Sequence, residues 1–150
     1  MALAPFGAVA AAEDYPGFAW MSGAGDGNAL LTYGSPDTGE DYLFNLSCGN
    51  KDKSSRATLY VDIEGTKVGQ KVGIELSAGA KKVSLDGKIA TDEMSGFHFA
   101  EAKGFKIKPL IALLKEKGPI TAKAGKIVSV LPEKGRAAQL SEFAKACKLD

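Results

Sequence analysis

The stretch Tyr42-Leu43-Phe44-Asn45-Leu46-Ser47-Cys48 alternates apolar and polar side chains. Tyr42, Phe44, Leu46 and Cys48 fall on one side of an extended chain, and Leu43, Asn45 and Ser47 on the other. That is the two-residue period of a strand with one buried face. Residues 58–63 repeat it with Leu59, Val61 and Ile63 inward, and residues 72–76 follow with Ile74 and Leu76 inward. Upstream, residues 18–22, which hold the only Trp (Trp20), and residues 29–33 read as strands separated by the glycine-rich turn 23–28. Downstream, residues 82–85 and 88–91 flank Asp86-Gly87, a type I′ dipeptide, and predict a hairpin there. Residues 96–100 alternate again, with Phe97 and Phe99 on one face and His98 on the other. Two further strands are expected over 120–123 and 126–131.

The period changes twice. Ile107, Leu110, Ile111 and Leu114 lie at helical spacing, with Pro109 in the first turn and Gly118-Pro119 beyond the end, predicting a helix over 107–117. Leu140, Phe143, Ala144 and Cys147 mark a second over 136–148. About eight or nine short strands and two short helices, with 18 glycines to turn the chain, predict a mainly β protein: an antiparallel sandwich or a curled barrel. The missing βαβ alternation argues against a parallel α/β fold. The 150 residues suit one domain, read as 14–150.

Residues 1–12 are small and apolar, end in an Ala-x-Ala pattern and precede Glu13-Asp14. They read as the tail of a secretory signal peptide, cut within 10–14 and disordered if retained. No run approaches the length of a membrane-spanning helix, so no transmembrane segment is expected. An exported chain meets an oxidising compartment, where two cysteines pair. Cys48 lies on the apolar face of its strand and Cys147 on the apolar stripe of its helix, so both sulfurs point to the core. Such a link closes a loop of about 100 residues, worth roughly 4–5 kcal/mol on the chain-entropy argument.

Residues 1–50 hold six acids and no base, and residues 51–150 hold all 19 basic residues against 12 acids. The lysines are scattered, only Arg56 and Arg136 are arginines, and aromatics do not interleave with them, so no nucleic-acid partner is expected. With one His and no Cys-x-x-Cys, neither a familiar zinc set nor a redox dithiol can be assembled, and no cofactor or metal is expected. Asp37, Glu40 and Asp41, even with Asp26, lack the calcium-loop spacing and read as solvated turn. Trp20, Tyr33, Tyr60 and His98 are the candidate ligand or interaction surface, against the alternatives that Trp20 is simply core and His98 a solvated or hydrogen-bonded side chain.

Leu31-Thr-Tyr33-Gly34-Ser-Pro36, Phe44-x-Leu46-x-Cys48 and Leu140-x-x-Phe143-x-x-x-Cys147 together resemble a group of bacterial exported proteins. The layout is similar, more distantly, to the invasion-associated locus B family of periplasmic β-sandwich proteins. The resemblance implies an envelope location and a β-sandwich, and brings no catalytic residues. The expected function is a non-enzymatic periplasmic or secreted binding domain for an envelope protein, a glycan or a small apolar ligand. The alternatives are a structural subunit of an envelope assembly and a polymer hydrolase using His98.

Overall fold

A computed structural model describes residues 17–25, 27–37, 41–49 and 54–148. The signal-peptide reading of residues 1–12 lies outside them, as do Asp26 and Glu40. Among the described residues nine antiparallel strands form one sheet: β1 (Ala19–Gly25), β2 (Asn28–Gly34), β3 (Tyr42–Gly49), β4 (Ser55–Leu59), β5 (Lys71–Ala78), β6 (Lys81–Thr91), β7 (His98–Lys103), β8 (Ile120–Ala124) and β9 (Ile127–Leu131). Their spatial order is β1-β2-β3-β4-β7-β6-β5-β8-β9. The sheet curls into a half-barrel, so of the two expected architectures the curled one is realised. Among the described residues two helices accompany the sheet, α1 (Lys108–Leu114) and α2 (Arg136–Ala146).

The order requires two crossovers. Residues 60–70 pass from β4 beyond β7 and β6 to reach β5. Residues 104–119 pass from β7 beyond β6 and β5 to reach β8, and carry α1 against β5 and β6. Helix α2 packs against β1, β2 and α1. The core lies between the concave face and these helices. Trp20, Tyr33, Phe44, Leu59, Ala100 and Ile89 form one continuous cross-strand row of buried residues. Leu110, Leu113, Leu114, Leu140 and Phe143 meet that face from the helices, all almost fully buried. Cys48 and Cys147 are placed as a disulfide, with Cα atoms 6.1 Å apart, tying β3 to the residue that caps α2.

Three sequence expectations are corrected. Asp86-Gly87 is not a turn: β6 runs unbroken from Lys81 to Thr91, and its hairpin with β5 closes at Gly79-Ala80. Positive φ at Gly79 alone, the first central residue, fits a II′ turn. Gly87 is instead where neighbouring strands crowd the backbone. A Cβ there would sit 2.8 Å from the Val72 carbonyl oxygen and 3.0 Å from that of Glu101. Second, the register of β2 on β3 shifts at Tyr33/Gly34, so Leu43 is buried beside Phe44 and Tyr42 is left half-buried instead of joining the inward row. Third, β4 ends at Leu59; Val61 and Ile63 are buried from the crossover that follows, not from a strand.

Candidate functional site

The start of β3, the end of β4, the β6–β7 connection and the start of β7 all lie at one end of the half-barrel. There the 60–70 crossover leaves β4. Tyr60 sits at the turning point, in a three-residue turn closed by the Val61 amide donating to the Leu59 carbonyl at 3.1 Å. The turn throws the Tyr60 ring into a cluster of aromatics. It stacks on Tyr42 at a centroid separation of 4.9 Å and meets Phe99 at 5.0 Å and Phe97 at 5.5 Å. Phe97 is 37% exposed and its neighbour Met94 is 92% exposed.

The polar side of the cluster is organised by Asp92. Its carboxylate accepts a short hydrogen bond from the Tyr60 hydroxyl and another, at 2.8 Å, from the Ser95 amide. The Ser95 hydroxyl lies 2.8 Å from the Tyr60 oxygen and accepts from the Phe97 amide at 3.0 Å. Since the Tyr60 proton goes to Asp92, Ser95 is the donor in their mutual bond. These bonds fix the loop that presents Met94 and Phe97. Acceptance from Tyr60 first, and then from the Ser95 amide, holds the Asp92 carboxyl below its ordinary value. Burial, followed by the hydrogen bond to Asp92, pushes the Tyr60 phenol up. Burial, followed by the nearby Tyr60 and the carboxylates of Glu101 and Asp92, does the same to Tyr42. Asp41 also acts on Tyr60, and of the carboxylates felt by the stacked phenols Glu101 is already paired with Arg56 and Lys103.

His98 braces this end. Its amide donates to Asp62 at 3.1 Å, and its Nδ1 lies 2.8 Å from the Thr66 carbonyl oxygen. A carbonyl only accepts, so Nδ1 carries a proton and holds the crossover against β7. Of the four candidate surface residues, the fold brings together Tyr60 and His98. Trp20 and Tyr33 are corrected to core positions: they are 5% and 4% exposed, with centroids 5.3 Å apart, and the Trp20 indole donates to the Pro132 carbonyl at 2.8 Å. Tyr42, Asp92, Ser95 and Phe97 complete the site, and the sequence reading assigned none of them to it. A signal was present in Asp92-Glu-Met-Ser95-Gly96, an acidic turn-former followed by a glycine that adopts φ +73°.

Two other hollows are separate from these aromatics. One, of about 670 Å³, opens at the opposite end beside the disulfide, between Asn28, Ser47, Ser55, Arg56 and Lys103. Arg56 and Lys103 also approach Glu101, at 4.0 and 3.6 Å, and Glu101 itself lines the next hollow. The other, of about 590 Å³, lies on the convex side along Val68, Lys88, Thr91 and Glu101. Among the described residues no helix is long and apolar enough to cross a membrane. Compared with protein-family models, curated proteins and solved structures, the chain matches none.

Proposed function

We propose that this protein is a non-enzymatic binding or interaction domain of the cell envelope, and that its partner is a protein segment carrying cationic side chains. The observation that carries the reading is the juxtaposition at Tyr60: an aromatic platform edged by exposed Phe97 and Met94, with the carboxylates of Asp92 and Asp41 acting on its phenol. Aromatic faces attract cations, ionised carboxylates pair with them, and partly exposed aromatics are the side chains protein interfaces favour. The low-lying Asp92 keeps its negative charge at neutral pH. An envelope location is supported by the Cys48–Cys147 pairing, which suits an oxidising compartment, and by the composition of residues 1–12.

An amide NMR titration tests this with two peptides of equal length, one alternating Lys and Phe and the other Glu and Phe. Shifts confined to Tyr60, Asp92, Ser95 and Phe97 with the basic peptide, abolished in Tyr60→Ala and weakened by salt, are expected. Silence at those residues, or an equal response to the acidic peptide, refutes the reading. A response only to envelope glycan fragments would replace the protein partner with a carbohydrate.

A further inference from the structure

Strand β9 is an edge. Among the described residues it pairs only with β8, and no further strand continues the sheet beyond it. The β8–β9 hairpin has a two-residue loop, Gly125-Lys126, which makes Ala124 and Ile127 its closing hydrogen-bonded pair. Bonding then alternates: Ile127, Ser129 and Leu131 bond to β8, while the amides and carbonyls of Val128 and Val130 face away from the sheet. Exposed edges are normally blunted by charge, proline, a bulge or a covering element. The Ile-Val-Ser-Val-Leu sequence of β9 has no charge and no proline, and Val128 is 41% exposed. The opposite edge is different: α2 packs on β1, and Ser22 is hydrogen-bonded to Gln139 at 2.7 Å.

We propose that β9 is a self-association edge, pairing antiparallel with β9 of a second copy of this chain about a two-fold axis through Ser129. The strand itself selects that register. Full overlap of residues 127–131 with themselves sets Val128 against the partner copy's Val130 twice, and Ser129 against its own twin. A slip of one residue would pair inward with outward side chains. In the two-fold register both valine pairs exchange their free backbone bonds, and the four valine side chains share the convex face. At each end the exposed Lys126 comes beside the exposed Glu133 of the other copy, a complementarity that any isologous contact repeats. Lys134, the residue after Glu133, tempers that attraction without changing the register. Five residues per chain bury less than the roughly 800 Å² per partner of a standard interface, so the association is weak and concentration-dependent. This surface is distinct from the Tyr60 platform and leaves it open.

Sedimentation velocity up to about 1 mM is the test, a range that reaches interactions of only about 4 kcal/mol. A reversible monomer–dimer equilibrium is expected for the native chain. Val130→Pro removes an amide that points away from β8, so it should abolish the dimer while circular dichroism stays unchanged. Val128→Lys, which needs no backbone tolerance, should do the same. Ser129→Cys places two thiols in a non-hydrogen-bonded pair with Cα atoms about 4.5 Å apart, within disulfide reach, and should give a reducible cross-linked dimer. A strict monomer at the highest concentration overturns the proposal. So does a dimer that persists in folded Val128→Lys, or one that Ser129→Cys fails to cross-link.

Discussion

Two polar side chains in this molecule each gather several hydrogen bonds, and they could hardly be more different. Arg136, at the first turn of α2, is 2% exposed and meets only main-chain carbonyls. It donates to Leu114 at 2.9 Å, Glu116 at 2.5 Å, Gly118 at 3.0 Å and Pro132 at 3.0 Å. Three of these carbonyls lie at or just beyond the end of α1, whose partial negative charge suits a guanidinium. The fourth, on Pro132, also receives the Trp20 indole, so one carbonyl joins α2 to the first strand. Tyr60 lies at the rim and meets only side chains, Asp92 and Ser95. Backbone carbonyls held by a fold cannot exchange partners without disturbing it. Side chains on a surface loop can turn to a ligand. The partner type separates the brace from the candidate site.

The sharpest break in that comparison would come from Arg136→Met. It strands one buried and three partly buried carbonyls while preserving most of the side-chain volume, and should cost about 2–4 kcal/mol in chemical denaturation. Arg136→Lys keeps the charge but loses the planar fork, and should recover less than half of the loss. A cost below about 1 kcal/mol for Arg136→Met would mean that water takes over these carbonyls, and the contrast with Tyr60 would collapse.

Tyr60→Phe sharpens the comparison from the other side. The ring stays in its stack and only the hydroxyl goes, so stability should fall by about 1 kcal/mol or less. The basic-peptide response at Asp92 and Ser95 should shrink, because the loop presenting Phe97 loses its tie to the crossover that follows β4. A stability loss approaching that of Arg136→Met would make the Tyr60 cluster a structural brace as well.

What the sequence revealed follows the same division. Periodicity reports burial, so it found most strands, both helices, and the inward aim of Cys48 and Cys147 that the disulfide requires. It misread Asp86-Gly87 because that dipeptide is a turn signal only when the backbone is free to turn. Here Gly87 serves the close approach of β5 and β7, a property of strands far away in sequence. Alternation puts Tyr42 in the inward row because it does not reveal a register shift between partners. Aromatic type alone does not distinguish a platform from a core, and Trp20 and Tyr33 lie in the core. Arg136 left one faint signal, an arginine in a chain that uses lysine for almost every other positive charge. The Tyr60 cluster is assembled from β3, β4 and the β6–β7 connection. No local pattern contains it.

The smallest expected effect is also the most specific to the Tyr60 cluster, since it concerns protons alone. Tyr42 and Tyr60 are raised above the ordinary phenol value of about 10, so the folded state binds those protons more tightly than the unfolded chain does. Their contribution to stability is complete below the ordinary value and is lost as pH rises through the folded values. Asp92 is lowered, so its contribution is complete above the ordinary carboxyl range and is lost as pH falls through its folded value. An ultraviolet titration of phenolate should therefore place the Tyr60 transition, identified by its disappearance in Tyr60→Phe, above that of free tyrosine. In Asp92→Asn the same transition should move down toward the ordinary value, because an amide neither repels the phenolate nor accepts the proton as strongly. The Arg136 brace predicts no such movement, since its four partners do not titrate. If Asp92→Asn leaves the Tyr60 transition in place, burial alone sets it, and the hydrogen bond that organises the candidate site carries less than the geometry assigns to it.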